Sequence, residues 1–247
     1  FKTLNVGCSQ QKMHMDFMAN LDGKLLKIQT NGCKNWIIIK LIPNKLDNKR
    51  IFTYFRLMRI RDEEKHQAII KATIKLVNKI GFVASSVSKI AQEANVSPAT
   101  LYVYYDNKED LLVTTYVEIK KKLSECLLQN FDESKPLRDI FKQLWFNGFE
   151  FAKKYQHLYQ YVEQFSNTPY TELVNHKDIE KHFLPIYNIL QKGIEQKVIK
   201  DVPMELLVVF IFHPMMLLAN RKECKSYQLT ESNMELAFSL AWDAIKL

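Results

Sequence analysis

Cysteine is sparse in this chain and never paired. Cys8, Cys33, Cys126 and Cys224 stand far apart, with no CxxC and no cysteine and histidine cluster at zinc spacing. Neither a disulfide framework nor a structural metal is indicated, and a reducing, cytoplasmic compartment fits best. Long apolar runs are missing too. The longest, LLVVFIFHPMMLLA from Leu206 to Ala219, contains His213 and Pro214 and falls short of the ~20 residues of a membrane span. It reads as a buried helix, so no membrane partner is expected. No charged-then-apolar leader opens the chain, which starts with Phe1 rather than methionine. GxSxG, HExxH, Walker and GxGxxG motifs are absent, and the six histidines are scattered without carboxylate or cysteine partners at useful spacing. An enzyme is therefore not expected, and no cofactor is called for. One metal-like grouping, His176, Asp178, Glu180 and His182, is better explained as a polar loop and helix start.

What is present is the balance of a globular protein: 47 % hydrophobic and 25 % charged in 247 residues. The charge is unevenly placed. Residues 1–57 hold ten Lys and Arg against three Asp, which leaves 25 basic against 24 acidic residues in the remainder. The basic character thus belongs to a prefix rich in Lys, Asn, Ile, Phe, Tyr and Met, with no sustained period beyond the strand-like WIIIKLI at Trp36 to Ile42. Met58 is read as the natural start, with residues 1–57 as upstream sequence read in frame or an appended arm, non-native or disordered. The other reading is a basic arm tracking DNA phosphates.

From Met58 onward the pattern is helical. Ile69, Ala72, Thr73, Leu76, Val77 and Ile80 mark one face of a helix from about Asp62 to Ile80, ended by Gly81. Ser86 is placed to cap a second helix whose apolar face is Val87, Ile90, Ala91 and Ala94. After a tight NVS connection, Ser97 and Pro98 form a cap and first-turn proline for a third helix, PATLYVYY. On it Leu101 and Tyr105 face inward, closing a small core with Val96 and Ile90, while Ala99, Thr100, Val103, Tyr102 and Tyr104 lie toward the exposed side. Two short helices joined by a tight turn make a helix-turn-helix. The short side chains of the second allow close approach to a major groove, the Thr100 methyl suits thymine, and the Tyr102 and Tyr104 hydroxyls can reach phosphates. Asn107 caps a fourth helix, placing Lys108 where a helix N-terminus and an ammonium share one phosphate. A YxYY run taken alone is more often core packing than DNA contact; the whole succession is more specific.

That succession resembles the DNA-binding domain of the tetracycline-repressor (TetR) family over residues 64–112. The matching segments are GF at Gly81 and Phe82, SSVSKIAQEANVS from Ser85 to Ser97, TLYVYY from Thr100 to Tyr105, and NKEDLL from Asn107 to Leu112. Asn95 stands where the family usually has glycine, and Tyr105 where it has phenylalanine. Asparagine tolerates left-handed backbone and tyrosine keeps the ring. The resemblance implies an all-α fold: a helix-turn-helix DNA-binding domain at 58–112 and a larger helical ligand-binding and dimerisation domain at 113–247. It implies that Ser86, Ser97, Tyr102, Tyr104 and Lys108 hold phosphates while Ser88, Pro98, Ala99, Thr100 and Val103 face bases of a double-stranded DNA operator. Lys89, Arg59 and Arg61 stand open between backbone contact and solvated surface.

The resemblance also implies a homodimer. Met204 to Ala219, apolar nearly all round, and Ser232 to Ile245, with Leu236, Ala237, Leu240, Ala241, Ala244 and Ile245, would supply two helices per protomer to a four-helix interface; burial inside one subunit is the alternative. A sensor region lies between. Phe141, Trp145, Phe149, Tyr159, Phe165, Phe183, Tyr187, Phe212 and Met216 are candidates to line a pocket for an apolar or aromatic small-molecule effector, although most such residues form ordinary core. His157, His182 and His213 could orient a polar group on it, and Glu150 and Glu163 could meet a cation. The core or surface reading is favoured for the three histidines, and a solvated face for the two glutamates. The implied function is a repressor released from a pseudo-palindromic operator by its effector, with helix four, Lys108 to Phe131, as the lever. A helical protein-binding adaptor is the alternative.

Overall fold

The computed structural model describes residues 15–19, 25–30, 37–40, 48–219, 226, 228 and 230–247, with side chains from Asp62 onward. Two compact units divide at Arg61 and Asp62. In the first, β1 (Met15–Ala19), β2 (Leu25–Thr30) and β3 (Ile37–Lys40) form an antiparallel meander with Met15 opposite Thr30 and Leu25 opposite Lys40. The WIIIKLI stretch supplies β3; β1 and β2 fall where no period is evident. The other residues of 1–47, and so most of the expected patternless prefix, lie outside the described residues.

Helix α1 runs Asn48–Ala84, starting well ahead of the expected Asp62. No glycine or proline occurs between Pro43 and Gly81 to interrupt it. At Gly81 the backbone turns to φ +79, ψ 168, a conformation that costs an L side chain energy, and regular helix geometry stops there.

The second unit is built of helices joined by short loops, with one isolated antiparallel bridge between Ile199 and Lys246 among its described residues. After α1 come α2 (Val87–Glu93), α3 (Pro98–Tyr104), α4 (Lys108–Leu127), α5 (Leu137–Lys154), α6 (Gln156–Ser166), a 3-10 turn (Pro169–Leu173), α7 (His176–Glu195), α8 (Met204–Ala219) and α9 (Glu231–Ile245). Helix α4 is shorter than expected: it closes at Leu127, and the chain then turns through Asn130 at φ +59 before Phe131.

Two apolar cores result. Ile69, Ala72, Ile90, Ala91, Leu101, Tyr105 and Leu111 form a small one that joins α1, α2 and α3. The large one gathers the inner faces of α4 to α9 with Ile70, Ile74, Val77 and Phe82 from α1. The switch between them falls inside α4, where Leu111 belongs to the small core and its neighbour Leu112 to the large one. Helix α4 is therefore a single element shared by both. Near its far end Gly148 lets α5 lie close to α8 and α4, since a β-carbon there would run into Met215 Sδ at 2.6 Å and Leu127 at 2.9 Å.

Candidate nucleic-acid interface

The α2–turn–α3 unit is built from local bonds. Ser86 accepts from the Lys89 amide at 3.3 Å, and Ser97 accepts from the Thr100 amide at 3.1 Å, which satisfies amides that a helix start would otherwise leave bare. Between the helices Asn95 takes φ +55, the left-handed conformation that asparagine tolerates where glycine is usual. The Val96 amide donates back to the Ala91 carbonyl at 2.9 Å and tightens the turn. Lys75 on α1 pairs with Glu93 on α2.

With Leu101 at 2 % exposure holding α3 to the small core, the opposite face is open: Tyr102 is 59 % and Val103 74 % exposed. Pro98 and Ala99 are exposed beside them, and Thr100 is half-buried with its hydroxyl 2.9 Å from that of Ser97. On α2, Ser88 and Lys89 are exposed, and the Lys89 ammonium donates to the Ala84 carbonyl at 3.1 Å. Val83, in the turn after Gly81, is 92 % exposed.

Two of the expected phosphate holders are already engaged. The Tyr104 hydroxyl donates to Asp62 at 3.2 Å, and its ring lies beside His66 and Tyr105. Burial first, and Asp62 second, push this phenol up to about 12. Lys108 turns back to the end of α1, where its ammonium donates to the Phe82 carbonyl at 2.7 Å. A lysine at the end of α1 offsets the negative end of the helix dipole. The amides at the start of α4 keep their place beside it, with Asn107 capping Asp110 at 2.7 Å. Tyr105 is buried, and its hydroxyl has no partner among the described residues. Desolvation, then the Asp110 carboxylate, raise it. Asp62 and His66 were invisible as partners of this site, because 42 positions separate Asp62 from Tyr104 and no local pattern links them.

Of the nine expected effector residues, Phe141, Trp145, Phe149 and Phe165 are packed core, while Tyr159, Phe183, Tyr187, Phe212 and Met216 are half-buried. Trp145 stacks on Phe149 and meets Phe146 and Phe238 edge-on, and its indole Nε1–H has no acceptor among the described residues. None of the nine lines the large cleft of the body, which lies between α1, α4 and α6. His157 and His213 are exposed, and the backbone carbonyl of His182 accepts from Ser124. His176 begins α7, with Asp178 in its first turn paired to Lys181 at 3.1 Å; no three His, Cys, Asp or Glu side chains are grouped to hold a metal among the described residues. No described helix is long and apolar enough to cross a membrane. On α8, Leu206, Val209, Phe210 and Leu217 are exposed, and on α9, Leu236 and Leu240, while the two helices pack against each other.

A short capped helix standing open on a three-helix head, carried by a larger helical body, defines a helix-turn-helix transcriptional regulator. Residues 69–114 match the family described as bacterial regulatory proteins, tetR family, and residues 136–246 match the tetracyclin repressor-like C-terminal domain. The crystal structure of a TetR family transcription regulator from Marinobacter aquaeolei VT8 is 35 % identical, with a TM-score of 0.70, over 76 % of this chain and 98 % of that one. An HTH-type transcriptional regulator of Haemophilus influenzae is 30 % identical over 125 residues, which is 51 % of this chain and 64 % of that relative. The crystal structure of FadR from Bacillus subtilis in complex with stearoyl-CoA shares the fold, at 22 % identity and a TM-score of 0.58 over 72 % of this chain and 97 % of that one. The chain belongs to the TetR family of transcriptional regulators, which are not enzymes.

Proposed function

We propose that this regulator is a cytoplasmic, homodimeric repressor that holds a pseudo-palindromic operator when empty and releases it when a small apolar or aromatic effector binds. The observation that carries the reading is the open face of α3, where Tyr102 and Val103 stand exposed opposite buried Leu101. Pro98, Ala99, Thr100 and Val103, with Ser88 on α2, meet base edges. Ser86, Ser97 and Tyr102 meet phosphates, joined by Tyr104 and Lys108 once DNA competes for their present partners. Two such helices must sit about 34–36 Å apart on DNA. The exposed leucines and phenylalanine of α8 and α9 provide a self-complementary apolar face to fix that spacing.

The effector reading is supported by the unpartnered Trp145 Nε1–H beside the rings of Phe146, Phe149 and Phe238, since a buried donor without an acceptor is costly and ready for one. The stearoyl-CoA complex of the Bacillus subtilis neighbour supports small-molecule control. An effector shifts the spacing of the heads only by its differential affinity for the two states, typically about 1–3 kcal/mol.

The test is binding of the full chain to DNA from its own promoter, followed by fluorescence anisotropy across a salt titration. Selective retention over scrambled DNA, with affinity falling steeply as salt rises, is expected. Equal affinity for both sequences sinks the regulator reading and favours a protein-binding adaptor.

A further inference from the structure

A cleft of about 750 Å³ opens between α1, α4 and α6, a size that suits a small molecule. Its floor is aliphatic: Ile70 and Ile74 from α1, Ile119 from α4 and Leu158 from α6, each at 6 % exposure or less. Its rim is charged and predominantly basic, with Lys71, Lys75, Lys121 and Lys122 against Glu118 and Glu125. Lys75 is committed to Glu93, and the Lys122 ammonium rests over the Tyr155 ring at 4.2 Å. Lys71 and Lys121 have no ion pair among the described residues. Along its wall Asn78 Nδ2 donates to the His157 carbonyl at 2.8 Å, and Gln164 Nε2 donates to Asn78 Oδ1 at 3.3 Å.

Each feature narrows the occupant. An aliphatic floor without a tyrosine, tryptophan or phenylalanine ring suits a flexible hydrocarbon better than a flat aromatic molecule, which gains from stacking. A neutral hydrocarbon would leave the two unpaired ammonium groups unused, and a cation would be repelled by the excess of lysine. We infer that the cleft binds a small amphipathic anion, its aliphatic body on the isoleucine and leucine floor and its carboxylate or phosphate head between Lys71 and Lys121. Such a ligand touches α1 of the head and α4 and α6 of the body at once, so its affinity depends on how they are disposed. That consequence rests on the DNA-binding reading; the binding itself does not.

His157 reports on occupancy. Desolvation of its ring, then the Lys122 ammonium, hold this imidazole below its ordinary value, while Lys71, Lys75, Lys121, Glu118 and Glu125 complete the charged groups of the cleft. An anion seated among them favours the imidazolium and raises it.

The experiment titrates the full chain with decanoate, decyl phosphate and neutral decanol by calorimetry, and follows His157 by NMR across pH with and without each. Saturable binding of one decanoate or decyl phosphate per chain, weaker binding of decanol, and an upward shift of His157 with the anions alone are expected; the preferred anion names the head group. Charge reversal at two head-group contacts, K71E with K121E, weakens the anion about tenfold or more, and K71Q with K121Q repeats the test should the reversed chain misfold. Absence of saturable anion binding, unchanged affinity in both double variants, or an unmoved His157 overturns the proposal. Promoter affinity of the ligand-free chain is measured alongside; its loss strikes the DNA-binding reading and leaves the decanoate result standing.

Discussion

The hydroxyl of fully buried Tyr161 on α6 donates to the Leu112 carbonyl on α4 at 3.0 Å, and its ring lies 5.2 Å from that of Phe82 at the end of α1. One side chain thus ties the end of the reading head, the shared helix and the body together. Removing the hydroxyl in Tyr161→Phe keeps the ring and loses the bond, which costs about 1 kcal/mol of stability in chemical denaturation. If α4 transmits the effector signal, the same variant changes the effector concentration needed to release DNA. An unaltered release curve would separate this bond from signalling.

Thr100→Ala and Tyr102→Phe test the open face of α3. Each removes a hydroxyl from a half-buried or exposed position without touching the small core, so melting temperature and dimer mass hold constant. Promoter affinity falls by about tenfold for Thr100→Ala, within the usual worth of a base contact. For Tyr102→Phe the fall is shallower and alike on all DNA sequences, as befits a phosphate contact. Unchanged affinity in both variants removes these residues from the interface.

Tyr105 carries a buried hydroxyl with no partner among the described residues, at the place where the family usually has phenylalanine. Tyr105→Phe removes an unmet polar group and keeps the packing, so stability rises by about 1 kcal/mol with DNA affinity unchanged. The sign with pH follows from the raised phenols of Tyr104 and Tyr105. Their contribution is complete below the ordinary phenol value and is lost as pH climbs through the folded values. Thermal melts at rising alkaline pH should therefore fall less steeply in Tyr105→Phe.

Leu236→Lys and Leu240→Lys place charges on the exposed face of α9, at 58 % and 65 % exposure in the single chain. Lysine is tolerated on an isolated subunit at these positions but not in an apolar contact between two. Light scattering should give a monomer for the double variant and a dimer for the parent, with promoter binding weakened through loss of the second head. A parent chain that scatters as a monomer removes the α8 and α9 face from the argument.

Deleting residues 1–57 takes away a segment of ten basic and three acidic residues. Non-specific affinity for DNA at low salt should fall, because each lost phosphate contact lowers the salt slope. Selective affinity for the promoter at physiological salt should stay within about twofold, since the open face of α3 is retained. A large loss of selectivity would make the basic segment part of the recognition surface.

What could be read from the residues was local. Gly81, Ser86, Ser97, Pro98 and Asn107 each act on their own few neighbours, and each lies at the helix stop or cap that its chemistry suggests. Helix α4 closes at Leu127, and Asn130 takes φ +59 just beyond it, a left-handed position that suits asparagine, so this stop too has a local cause. Tyr104 with Asp62, and Lys108 with the Phe82 carbonyl, meet across 42 and 26 positions. Such pairings are decided by how helices cross, not by the spacing of residues along them. The cleft was hidden for the same reason: its isoleucines and lysines look like the two faces of ordinary amphipathic helices until three helices set them side by side.

The Ser97 hydroxyl grips the Thr100 amide at 3.1 Å. A coil of seven residues would fray in water on its own, yet here its first turn is already wound and its inner leucine seated. On the proposed function, docking on a duplex requires no winding step, and the speed of capture is governed by how often the two collide in the right orientation.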